Sequence, residues 1–247
     1  MLIDHYLQQS GLVEWAQLNQ VELNHTEIER EVQWLEHYLD ECLATEHQRK
    51  EPCEVQWQYV VPELGEGGAC SLFGQLADAS YDLSLILGGK TTKNEQALQQ
   101  LQRFGQAFQQ RTGMEWFGIY QARANTEQQP VLVKLAYYGA PSRAEFPLTA
   151  EFARYSNNSS VGLTGKARVI NDIPAYLARG GDYYSCDPKV QAEACLPLFD
   201  QSGKIVGIID AEAFQQNVFN PASLVLLVAI CLMVPAFLPA ADLPSSD

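Results

Sequence analysis

Apolar residues recur with helical spacing in the first part of the chain. Ile28, Val32, Leu35, Leu39 and Cys42 follow one another at steps of four and three, which places them on one stripe of a helix. Thr26 followed by Glu29 has the capping-box pattern at its start. The stripe needs a cover, either the preceding Leu2–Leu23 segment or a second subunit, and it spans too few heptads to demand a long coiled coil. A helical hairpin or dimerisation element is the plain reading of this region. Val55–Val61 is β-branched and aromatic and predicts a strand, and ELGEGGA predicts a loop. No Lys-Ser/Thr pair follows those glycines, so the loop is not a phosphate-binding one.

A second helix is expected over Asn94–Arg111, with Ala97, Leu101, Phe104 and Phe108 on one face and Gly113 as its stop. The texture then changes. WFGIYQ (116–121) and VLVKLAYY (131–138) read as strands. GLTGKA (162–167) reads as the turn into a short helix, and VIND (169–172) as a strand end before Ile173-Pro174. Residues 194–199 and 205–211 read as strands joined by the turn Asp200-Gln201-Ser202-Gly203. An apolar helix closes the chain. Helices around antiparallel strands describe an α+β domain of ordinary size, about 150 residues.

Composition narrows the function. Acids outnumber bases 30 to 16, a formal charge of −14, which argues against a nucleic-acid partner because phosphate contacts draw on Lys and Arg. The start MLIDHYLQQS lacks the basic region of a secretion signal, so a cytoplasmic location with reduced cysteines is expected. The six cysteines are scattered and the four histidines (His5, His25, His37, His47) are confined to the first fifth of the chain, so no metal site is expected. Cys42, Cys53, Cys70 and Cys231 read as structural. Ala222–Ala241 carries no charge and approaches the length of a membrane span. Pro235, Pro239 and the acidic tail 242–247 favour a buried terminal helix over an anchor, and no membrane partner is expected.

The chemistry concentrates in YYSCDPKVQAEACLPLFDQSGKIVGIIDAEA, residues 183–213. Cys186 stands beside Asp187 among turn residues. Glu193 opens one apolar run, and Asp210 and Glu212 close the next. Side chains alternate along a strand, so Asp210 and Glu212 point the same way. If that face is the inner one, several carboxylates lie close to a thiol, an arrangement that costs free energy unless it binds a cation or holds a proton. The alternative is a strand that ends in solvent. Trp116 and Tyr120 at strand spacing suit a core as well as a pocket wall. Asp172 suits a local Asx-type turn.

The order of elements, together with EWFGIY, GLTGKA, the VIND segment and LPLFDQSGKIVGIIDAE, resembles a GAF domain, and within that fold the free methionine-(R)-sulfoxide reductases. The resemblance covers roughly Asn94–Pro239. It implies an antiparallel sheet flanked by helices over 94–241, with residues 1–93 as a mainly helical extension of unknown role. It implies Cys186 as nucleophile, Glu193 or Asp210 as proton donor, and Trp116, Tyr120, Asp172, Asp187 and Glu212 as substrate-binding residues. Glu212 stands where the family has a second Asp. The two lid cysteines of the family are missing, with Leu163 or Thr164 where one belongs, so Cys195 becomes the candidate resolving thiol and an external thiol such as thioredoxin the other. No bound cofactor is implied. The thiolate would draw on Lys189, a helix N-terminus or the substrate for stabilisation. The second reading is a non-catalytic sensor whose pocket takes a small amino-acid-like ligand, with a homodimer formed through the N-terminal helices.

Overall fold

The computed structural model describes residues 1–49, 55–65, 71–183 and 187–241. Cys53, Cys70, Cys186 and the tail 242–247 lie outside them. Eight α-helices, two short 3-10 helices and ten strands make up the chain among the described residues.

Six strands make one antiparallel sheet. They are β5 (Trp116–Ala124), β6 (Pro130–Tyr138), β7 (Glu145–Pro147), β8 (Arg168–Ile170), β9 (Ala192–Phe199) and β10 (Ile205–Ala213), in the spatial order β7-β6-β5-β10-β9-β8. The central strands are buried on both faces, which explains why their sequences read as near-continuous apolar runs. The turn between β9 and β10 is built as expected. Asp200 Oδ1 accepts from the N–H groups of Ser202 and Lys204 at 2.8 and 3.0 Å, and Gly203 takes a positive φ of 86°.

One face of the sheet is covered by α5 (Thr92–Thr112) and α8 (Pro221–Met233). Thr91 caps α5, and Gly113 ends it in the left-handed conformation. In α8 every residue from Ser223 to Cys231 is buried, and no helix among the described residues is long and apolar enough to cross a membrane. α6 (Asn157–Thr164) packs on the opposite face, against β9 and β10. GLTGKA is therefore not the turn into a helix but the last turn of one: Gly165 closes α6 at φ 67° and the chain leaves toward β8.

The N-terminal helices α1 (Ile3–Gln9), α2 (Leu12–Asn19) and α3 (His25–Arg49) share the main core. The stripe Ile28, Leu35 and Leu39 is buried, and α3 packs on α8 and α5 rather than on a neighbour in sequence alone. Its cap is Asn24, whose Oδ1 accepts from Thr26 N–H at 2.9 Å, so the cap sits two residues before the expected Thr26 and the helix begins at His25. Polar anchors tie this part to the sheet. Tyr6 donates its hydroxyl to Pro197 O at 3.0 Å, and Trp15 Nε1 donates to Val169 O at 3.3 Å. Arg103, almost fully buried on α5, pairs with Glu46.

Between α3 and α5 the chain forms β1 (Gln58–Tyr59), which pairs with β4 (Tyr81–Asp82), and the hairpin β2 (Pro62–Leu64) with β3 (Ser71–Leu76). The start of the expected ELGEGGA loop, Glu63 and Leu64, thus belongs to β2, and residues 66–69 lie outside the described ones. Tyr59 donates to Lys134 O at 2.8 Å and Tyr81 to Glu145 Oε1 at 2.5 Å, which brings this segment onto the β6–β7 edge.

Candidate functional site

The pairing of β5, β10 and β9 fixes which side chains meet. Glu212 lies opposite Glu193 on β9 and opposite Trp116 on β5. Asp210, two residues back, lies opposite Cys195 and Gly118. Period-2 alternation puts all of these on the α6 side of the sheet, with Tyr120 and Ile208. The expected convergence of Glu193, Asp210 and Glu212 on the inner face is what the register produces.

Gly118 shapes the aromatic wall. A Cβ at that position would fall 2.4 Å from Trp116 Cη2 and 3.0 Å from Tyr120 Cε2. Its absence lets the indole fold across the strand toward Tyr120, at 6.4 Å between ring centroids. Trp116 Nε1 donates to Ala140 O at 3.0 Å, which fixes the ring. Tyr120 packs edge-on against Phe146.

The N-terminal end of α6 closes the space over the acids. Ser156, Asn157 and Asn158 line a cavity of about 20 Å³ with the acids, Trp116 and Tyr120. That volume holds roughly one water. Asn158 Nδ2 donates to Asp210 Oδ2 at 3.0 Å. Asp210 Oδ1 and Ser159 Oγ are buried with no hydrogen-bond partner among the described residues, and the buried Asn157 amide lies beside Glu193 without a well-formed hydrogen bond. Buried polar atoms left in this state are costly, and Asp210 and Asn157 both line this cavity.

The acids resist ionisation. Burial, then Glu193 and Glu212, push Asp210 well above the usual carboxylate range. Burial also raises Glu193, while the neighbouring Tyr183, Asn157 and Arg168 pull it back. Glu212, at the edge of the cavity, is pushed up to about 8 by burial and by Glu193 and Asp187, with Lys134 opposing. Like charges this close cannot all ionise, so the cluster retains protons at neutral pH and titrates as a unit.

Other expected site residues are placed differently. Asp172 does not line the cavity. It caps α7 (Ile173–Ala178), accepting from Ala175 N–H at 2.8 Å, which fits the Asx-type reading. Asp187 Oδ1 accepts from Lys189 N–H at 2.8 Å and lines a cleft just outside the cavity. Cys195 shares the face of Glu193 as anticipated. Burial, Asp210 and Glu193 raise its pKa well above the ordinary thiol value, so it stays a neutral thiol.

Two features escaped the sequence reading. The NNSS segment, from which Asn157 and Asn158 reach the acids, gave no pattern beyond polarity. Lys134 is fully buried. Its Nζ donates to Ser142 O and Oγ at 2.7 Å each and lies 3.9 Å from the Tyr137 ring centroid. A single Lys inside VLVKLAYY, on the same strand face as Leu132, was the available signal. Among the described residues no His, Cys, Asp and Glu group could hold a metal ion.

Residues 96–234 match the family model for the GAF domain. No curated protein sequence matches the chain. Similar solved structures include a type II free methionine-R-sulfoxide reductase from Thermoplasma acidophilum, 22% identical over 59% of this chain and 94% of that one, TM-score 0.49. A free methionine-R-sulfoxide reductase from Neisseria meningitidis in complex with its substrate is 18% identical over 57% and 77%, TM-score 0.47. The GAF domain from an Acinetobacter phosphoenolpyruvate-protein phosphotransferase is 13% identical over 57% and 80%, TM-score 0.44.

Proposed function

The chain belongs to the GAF domain family, and from that premise we propose that its pocket reduces free methionine-(R)-sulfoxide at the expense of a thiol, with Cys186 as nucleophile. The observation that carries this reading is the pair Glu193 and Asp210, buried beneath an aromatic wall, where desolvation raises both carboxyls above the usual range so that they hold a proton more readily than free acids. Sulfoxide reduction needs such a proton. The Cys186 thiolate attacks the sulfoxide sulfur and forms an S–S bond while the oxygen takes the proton; the S–O and S–S bonds then break as the hydroxyl passes to the cysteine sulfur and the thioether leaves with the electron pair. The sulfoxide becomes a thioether, and Cys186 becomes a sulfenic acid. A second thiol then attacks that sulfur, releases water and leaves a disulfide, which an external dithiol such as thioredoxin reduces.

Glu193 or Asp210 supplies the proton, and the remaining carboxylates hold the substrate ammonium. Trp116 and Tyr120 face the methyl group and stabilise positive charge that develops on sulfur. General-acid help of this kind contributes about 10²–10⁴ in rate. The buried, neutral Cys195 favours an external thiol over an internal one for the recycling step. The same fact supports the second reading, a non-catalytic module that binds a small amino-acid-like ligand.

Turnover of free L-methionine-(R)-sulfoxide, coupled to NADPH through thioredoxin and repeated with dithiothreitol, distinguishes the two. The reductase reading expects turnover that Cys186→Ser abolishes. Equal turnover in that variant removes Cys186 as the nucleophile, and no turnover with any reductant in folded protein leaves the binding module.

A further inference from the structure

The acid cavity does not end at Glu212. Trp116, Ser142 and Glu212 also line an open cleft of about 270 Å³ on its outer side. That volume lies just below the ~300 Å³ at which small-molecule sites begin. The far wall of the cleft comes from the N-terminal extension, where β3 presents Leu72, Phe73 and Leu76. The near wall adds Pro141 and Phe214. Phe73 and Leu76 are 56% and 53% exposed, so this wall is apolar and wet.

The charged residues that line the cleft have one sign, with the buried Lys134 behind Ser142 as the cation that acts on Glu212 from within. Among its described lining residues are Glu115, Asp187 and Glu212, with no Lys or Arg. Lys189 lies over the Phe214 ring at 5.8 Å, outside the lining. Behind Glu212 the unpartnered Asp210 Oδ1, on a side chain only 3% exposed, belongs to the adjoining cavity, which Asn157 also lines. A cationic head at Glu212 would meet acceptors on the inner side and aromatic faces on the outer side, where a cation is attracted by the ring quadrupole. An anion there would meet carboxylates in a partly desolvated place.

We propose that this cleft is an accessory binding subsite, built in part by the N-terminal extension, for the apolar body of a primary ammonium ligand whose head sits at Glu212. It rests on the reading of the acid cluster as an ammonium seat and not on the reductase chemistry. The extension thereby gains a role: it supplies the wall that selects what is attached to the ammonium group. In the frame of the proposed reaction, the subsite admits amines larger than a free amino acid as competitors or substrates.

The test is calorimetric titration of the full chain with 2-phenylethylammonium and with 3-phenylpropionate, which has the same phenyl-ethyl body and the opposite charge. The ammonium should bind at least about tenfold more tightly, since a like-charged carboxylate in the cleft is strongly disfavoured. Phe73→Ser should weaken it by about tenfold, the loss of one aromatic burial. Leu76→Ser, on the same exposed strand, is the second variant should the first misfold. Equal binding of the two probes, no binding of either, or full affinity in both folded variants overturns the subsite. Turnover of methionine sulfoxide is measured on the same samples. Turnover without ammonium binding removes the subsite and leaves the reductase, and ammonium binding without turnover does the reverse.

Discussion

Glu193 and Glu212 face each other directly across the β9–β10 pair, on the buried side of the sheet. Like charges in that position oppose folding, so the pair is tolerated as long as protons are shared out among it and Asp210. Much of what the site can do follows from this relationship.

Stability should fall as pH rises through the neutral range. Glu212 has a folded-state pKa of about 8, above its ordinary value of 4.5. Between those values the folded state binds more protons than the unfolded state, so each step up in pH favours unfolding, and the loss levels off above about 8. Asp210 and Glu193 shift in the same direction. Tm measured from pH 5 to pH 8 should decline, and Glu212→Gln should flatten the decline. A Tm that rises over this window in the native chain contradicts the assignment.

Glu193→Gln should lower kcat by about 10²–10⁴ with the fold retained, because the amide fills the same space but cannot give up the proton. The check is turnover across pH beside a circular-dichroism melt. Native rates at every pH would remove Glu193 as the acid and leave Asp210.

Gly118→Ala should disturb the pocket more than one methyl suggests. The new Cβ would lie 2.4 Å from Trp116 Cη2, so the indole must move off the strand. A cost of about 1–3 kcal/mol is expected, typical of overpacking, with a changed Trp emission. An unchanged spectrum and Tm would mean that the indole does not lie across Gly118.

Leu35→Ala on α3 should cost about 2–5 kcal/mol, as for a core residue of any domain, because Leu35 is fully buried in the core shared with α5 and α8. Chemical denaturation followed by fluorescence and by far-UV signal should show one transition that shifts as a whole. A separate early transition would mean that the helices fold apart from the sheet.

Asp172→Ala should cost about 1 kcal/mol through the lost cap on α7 and leave KM for substrate unchanged. A raised KM at native stability would return Asp172 to the pocket.

Local patterns determined a good part of this protein by themselves. The stripe on α3, the Gly113 stop of α5, the strand pair with its Asp200 turn and the shared face of Asp210 and Glu212 all depend on fixed 3.6- and 2-residue periods or on turn chemistry, which are legible in a few consecutive residues. Cross-strand register was not legible. That Glu193 meets Glu212 and Cys195 meets Asp210 is set by pairing between strands whose apolar runs fit several registers equally well. The roles of Asn157, Asn158 and Lys134 were hidden for the same reason, since a polar side chain reveals its partner only once distant segments are packed together. The cover of α3 was undecidable because an apolar stripe specifies that it must be buried and not against what. Tertiary structure chose α8 and α5, nearly 200 residues and some 70 residues downstream.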